Sequence, residues 1–154
     1  MSSILSSLFK TVVSGFILLL LIIILISTTS EFYFDYAFTS FLFRWLHVLS
    51  GVMWIGLLWY FNFVQIPSMP NIPDEHKPAI SKVIAPKALF WFRWAALSTL
   101  ITGIILGHLN GYLYDALTLD SDNGKNLMIG IGMWLGAIMA FNVWAIIWPN
   151  QKRA

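Results

Sequence analysis

Of the three histidines in this chain, two lie in long apolar runs and one does not. His47 sits in FLFRWLHVLSGVMWIGLLWYFNFVQ (41–65), where Arg44 is the only formally charged neighbour. Basic groups are expensive at membrane depth, so those present there usually face a bundle interior, a metal or a cofactor. A neutral imidazole ligates haem iron or copper well, and cofactor sites in helix bundles draw ligands from facing helices. His47 and His108 are therefore expected as axial ligands of a b-type haem, with copper as the second choice. Arg44, one turn from His47 and about 4.5 Å along the axis, is expected to pair with a propionate. Helical periodicity sets Arg44, His47, Gly51, Trp54 and Leu58 on one stripe, and Trp54 is expected to pack against the ring. Gly103 and Gly107 would leave room for a flat group beside His108, while Gly132, Gly136 and Ala140 repeat the small-residue spacing. The plainer readings stay open: such glycines also serve helix packing, and His108 could donate to a loop carbonyl at the interface.

Other polar residues carry weaker signals. His76 lies in NIPDEHKPAI, a charged, proline-rich stretch, and is expected to be solvated. Together with Asp74 and Glu75 it makes a poor metal motif without cysteine or a second histidine. Asn62, Gln65, Arg93 and Asn142 gather toward one end of the apolar runs. Arg93 keeps its charge, so it must snorkel or be held by carbonyls and amides. No carboxylate falls within the apolar runs, which argues against a carboxylate proton relay. Hydrolase and phosphate-loop signatures are missing.

The elements that must position these residues follow from composition. The 154 residues are 58% hydrophobic and 10% charged, with a mean hydropathy of +0.77; soluble domains carry roughly 25% charged residues. The expected fold is all-α, an integral membrane four-helix bundle forming one domain over 1–154. Its helices are expected at about 11–28, 39–66, 88–110 and 126–148, each near the roughly 20 residues a span requires. The first is read as a retained helix, since its apolar run exceeds a signal peptide's and STTSEFYFD lacks a small-residue cleavage site. Pro67 to Lys87 should be an extended or short-helix connector, and SDNG at 121–124 a turn. There is no cysteine, which excludes disulfides, iron–sulfur clusters and c-type haem attachment.

Lys10, Lys77, Lys82, Lys87, Lys152 and Arg153 fall on one side of such a bundle, with Glu31, Asp35, Asp115, Asp120 and Asp122 on the other. The positive-inside rule then makes both termini cytoplasmic, N-in and C-in. That topology brings His47 and His108 into the same outer half. Trp45, Trp91, Trp94 and Trp148 lie near helix ends, where indoles prefer headgroups; Trp54, Trp134 and Trp144 lie deeper. The lipid bilayer is the expected partner, nucleic acid is not, and the small-residue seams allow an oligomer.

Three stretches in order, RWLHVLSGVMWIGLLWYFNFVQIP (44–67), KALFWFRWAALSTLITGIIL (87–106) and MAFNVWAIIWPNQK (139–152), resemble the N-terminal membrane domain of bacterial cytochrome-c-linked urate oxidases (urate hydroxylases) and related short stand-alone membrane proteins. LHVLSGVMWIG alone is also similar to four-helix membrane proteins of haem synthesis and copper uptake, a resemblance that implies His47 as a ligand position. Together the resemblances imply a small redox module of the bacterial inner membrane that binds haem b and transfers electrons. They also imply two alternatives: a non-catalytic subunit of a larger redox complex, or an oxidoreductase of the urate-oxidase type working with a separate cytochrome.

Overall fold

The computed structural model describes residues 2–29, 33–120 and 124–152. Residues 121–123, on which the expected SDNG turn falls, and the charges of Glu31, Asp122 and Arg153 lie outside the described residues. Among those described the chain is helical with no strand, and four helices are long and apolar enough to cross a membrane. By contact the chain divides into two compact units, 1–38 and 39–154.

The first unit is carried by α1, Leu8–Thr29. Its Leu/Ile run is apolar around the whole circumference, with a mean hydropathy of 2.8 over its span, the pattern of a helix with no aqueous face. A helix satisfies its backbone internally, as an apolar solvent demands. Near its end Ser27 and Thr28 donate their hydroxyls to the carbonyls of Ile24 and Leu25, hiding two more polar groups.

Asp35 starts α2, Tyr36–Trp59: its Oδ1 accepts the Phe38 N–H at 2.9 Å, satisfying one of the free donors of a helix N-terminus. The chain then widens into a π-helical stretch, Tyr60–Gln65, and continues through Ile66–Ser68 and the 3-10 turn Met69–Asn71. The proline-rich connector is a run of short helices, with Pro67, Pro70 and Pro78 in their first turns. At Pro78, which follows the turn at 73–76, the missing N–H would have no intrahelical acceptor; Pro67 follows unbroken winding, and the wider π turn stands just before it. After a second π stretch, Ile80–Ile84, Pro86 opens α3, Ala85–Leu109.

Gly111, at φ +72°, closes α3. The Gly111 N–H donates to His108 O at 3.1 Å and that of Tyr112 to Gly107 O at 3.2 Å, a Schellman motif that needs a left-handed residue at this place. The loop that follows contains a helix, α4, Leu113–Leu117. Leu113, Ala116 and Leu117 recur at helical spacing and give α4 an apolar side. Finally α5, Gly124–Phe141, runs on through a third π stretch, Asn142–Ile147, into Trp148–Gln151.

Contacts along α2 and α3 run in opposite chain directions. Ser40 meets Asn110, where Asn110 Nδ2 donates to Ser40 Oγ at 3.2 Å; His47 meets Thr99 and Gly103; Phe61 meets Phe92 edge-on at 6.0 Å. The buried core lies toward the Phe92 end and comprises Trp54, Phe92, Ala95, Ala96, Ala140 and Val143. Alanines at 95, 96 and 140 keep the backbones of α3 and α5 close, and the aromatic rings fill what remains. The Ser40–Asn110 pair is the polar tie at the other end, where Ser40 is buried. Ser40→Ala should lower stability by about 1 kcal/mol, read as an earlier thermal unfolding midpoint in detergent; an unchanged midpoint would show that the tie adds nothing.

Candidate functional site

Between α2, α3 and α5 lies a cavity of about 580 Å³, within the roughly 300–1,000 Å³ of ordinary ligand and cofactor sites. From α2 it is lined by His47, Gly51 and Trp54, and from α3 by Thr99, Leu100, Gly103 and Ile104. On the α5 side it meets Gly132, Met133, Trp134, Gly136 and Ala137, and Leu117 of α4 closes one edge. The lining is apolar apart from the imidazole, the threonine and the two indoles. Its four glycines leave flat stretches of helix surface without side chains.

The position of His47 is set by α3. Its Nδ1 lies 3.0 Å from Thr99 O and 3.2 Å from Thr102 Oγ1. A carbonyl can only accept, and the Thr102 hydroxyl is already donating to Ser98 O at 2.6 Å, so both neighbours are acceptors toward the ring. The Nδ1 nitrogen therefore carries the proton, and in the neutral ring the lone pair is at Nε2. That nitrogen has no hydrogen-bond partner among the described residues. The ring rests on Gly103, where an added Cβ would stand 3.0 Å from His47 Cε1. Glycine at 103 is thus what admits the imidazole to this place.

This is the arrangement found at metal-ligating histidines, which donate the second ring N–H to a carbonyl or carboxylate and so fix tautomer and orientation. Trp54 also lines the cavity, yet its own polar atom is out of reach. Trp54 is only 4% exposed, and its indole Nε1 has no hydrogen-bond partner, although buried donors are nearly always paired.

Across the cavity, α5 is organised by α4. Asn126 Nδ2 donates to Asp115 Oδ2 at 3.1 Å. A Cβ on Gly130 would overlap the Ala116 carbonyl oxygen, so α4 lies directly against the α5 backbone there. Trp134 Nε1 donates to Leu117 O at 3.1 Å. Three successive residues of α4 are thus tied to positions 126, 130 and 134, one face of α5 at four-residue spacing. These ties set Leu117 and Trp134 at the cavity edge.

The residues singled out by the sequence are divided by this geometry. His47, Trp54 and Gly51 share the cavity, as their common stripe implies. Arg44 is exposed, lies one turn before His47, and is not part of the lining. His108 is exposed and outside the lining too; it follows Gly103 by five residues, roughly 140° further around α3. Arg93 meets neither Asn62 nor Asn142: its guanidinium hydrogen-bonds Gln151 Oε1 at 3.4 Å and lies 5.3 Å from the Trp148 ring centre. Asn62 instead donates to Leu58 O, and Gln65 Oε1 is buried without a partner. His76 is exposed beside Glu75 at 3.5 Å. Among the described residues no three or more His, Cys, Asp or Glu side chains converge on a common metal position.

The α5 wall was legible residue by residue only as a small-residue seam at Gly132 and Gly136 and a deep tryptophan at 134, without a part in the site. Its signal is a repeat: MWIGLLWYFN at 53–62 and MWLGAIMAFN at 133–142 share Met, Trp, Gly, Phe and Asn at matching places. Both copies lead into π-helical winding, Tyr60–Gln65 and Asn142–Ile147. Their tryptophans, Trp54 and Trp134, line the same cavity. Comparison with protein-family models, curated proteins and solved structures finds no match for this chain.

Proposed function

We propose that this chain is a multi-pass protein of the bacterial cytoplasmic membrane, N-in and C-in, that holds haem b in the cavity between α2, α3 and α5 and serves electron transfer. The observation that carries the reading is His47: an imidazole locked through Nδ1, with Nε2 unpartnered, on the wall of an apolar cavity. One protein donor suits a metal that brings its own equatorial nitrogens better than bare copper, which needs several protein ligands. The geometry favours His47 as the single protein ligand over a His47–His108 pair, because His108 stands outside the lining.

When bound, the haem would supply one-electron chemistry, its potential set by the axial ligand and by burial. The protein's own residues do the rest. The carbonyl of Thr99 and the hydroxyl of Thr102 hold the imidazole and fix its tautomer. Gly51, Gly103, Gly132 and Gly136 leave space for a planar ring, Trp54 offers an apolar face, and Arg44 offers a cation to a carboxylate one turn away.

The test is an absorption spectrum of the protein purified in mild detergent from cells supplied with haem. A Soret band is expected, and its absence would overturn the proposal, leaving the non-catalytic subunit as the better reading. Urate-dependent reduction of an added acceptor by membranes containing the chain would identify the urate-oxidase-type enzyme instead. Thr102→Val keeps the shape and removes one acceptor from Nδ1; it should weaken haem retention by about tenfold, the lower end for such supporting residues. Retention equal to wild type would show that the Thr99 carbonyl alone orients the ring.

A further inference from the structure

At the far end of the second unit, Arg93 and Lys152 lie over one indole. The Arg93 Cζ is 5.3 Å and the Lys152 Nζ 4.1 Å from the Trp148 ring centre. Among the described residues neither cation forms a salt bridge. Of the five N–H donors of Arg93, one is used, toward Gln151. Two neighbouring positive charges without a carboxylate repel each other, and the aromatic face offsets only part of that.

Their surroundings identify the missing anion. Trp144 packs edge-on against both Trp94, at 5.7 Å, and Trp148, at 5.0 Å, and it donates its indole N–H to Arg93 O. Phe90 and Trp94 continue this aromatic surface and are each 46% exposed. Clustered indoles beside basic groups mark the level of lipid headgroups, and a guanidinium fork matches phosphate geometry. The exposed rings next to it provide an apolar track for an acyl chain.

We propose that Arg93, Lys152 and Trp148 form a binding site for the phosphate of an anionic phospholipid. Arg93 supplies paired donors and Lys152 a mobile point charge, with Trp148 holding both cations together while the site is empty of lipid. The site is distinct from the His47 cavity and does not depend on a cofactor.

Native mass spectrometry of the detergent-solubilised chain, titrated with phosphatidylglycerol and with phosphatidylcholine of equal chain length, tests this. Wild type should retain phosphatidylglycerol preferentially. Arg93→Gln and Lys152→Gln should each weaken it about fivefold and the pair about 25-fold, from the usual worth of a basic residue near an anionic leaflet. Lys82→Gln, in the exposed connector, should change nothing. Lys152→Gln lies in the exposed final turn, so its effect can be read even where Arg93→Gln disturbs folding. Equal retention of the two lipids, or an undiminished preference in the Lys152→Gln variant, overturns the site. Complete displacement by excess inorganic phosphate overturns the lipid as its occupant.

Discussion

His47→Ala is expected to yield a folded but colourless protein. The side chain is half-buried, and its removal deletes the one imidazole of the cavity while leaving the core of Trp54, Phe92, Ala96 and Val143 in place. Haem retained through purification should fall at least about tenfold, since loss of the ligand should cost no less than the 10–100-fold typical of supporting residues. Helix content by circular dichroism should match wild type. Free imidazole added during haem loading should restore part of the Soret band, because the variant leaves a space of that shape against Gly103. His108→Ala, altering an exposed side chain outside the lining, should leave the pigment intact. The opposite pattern, colour lost with His108 and kept without His47, would refute the cavity as the haem site.

Gly130→Ala should be the most damaging conservative change in the chain. The new methyl has no room at all: it would coincide with the carbonyl oxygen of Ala116, a backbone atom of a residue with 0% exposure. Relief requires α4 to lift from α5, which strains the Asp115–Asn126 and Leu117–Trp134 hydrogen bonds together. Overpacking of this kind costs about 1–3 kcal/mol, and the upper end applies where backbone meets backbone. The thermal midpoint in detergent should drop by several degrees, and haem retention should fall because Leu117 and Trp134 bound the cavity. Gly132→Ala, two residues away with nothing within 4 Å of its added Cβ, separates these effects. It should keep or raise stability by up to about 1 kcal/mol, the ordinary gain of alanine over glycine in a helix, while intruding on the cavity. Equal stability of Gly130→Ala and Gly132→Ala would show that the α4–α5 contact is not tight.

Much of this arrangement was legible in the sequence, for identifiable reasons. Apolar length alone locates a membrane-capable helix, so each of the four apolar runs lies within a long helix, although the second runs on to Asn71 and the third begins at Lys77, inside the stretch expected as a connector. The cavity wall on α2 was legible as well, because His47, Gly51 and Trp54 belong to one helix and periodicity relates them. The pairing of His47 with His108 had a weaker basis. Charge topology gives depth along the helices, but says nothing of rotation about α3, and it is rotation that puts Gly103 toward His47 and leaves His108 exposed. Helix α4 was hidden in what read as a loop: five residues are too few for periodicity to announce, and what holds them is α5. Trp134 could have been found earlier through the repeat of Met, Trp, Gly, Phe and Asn eighty positions apart, a comparison of the chain with itself.

By itself, then, the sequence determined the number of long apolar helices, the absence of cysteine chemistry, and the stripe that carries His47. These are local or additive properties, set by the cost of exposing polar backbone to an apolar solvent and by the 3.6-residue turn. Only the tertiary structure decided which nitrogen of His47 is free, that His108 stands apart, that α4 closes the cavity, and that Arg93 shares an indole with Lys152. Each of these depends on the rotation and approach of helices distant in the chain, and those are set by where glycines and alanines let backbones meet.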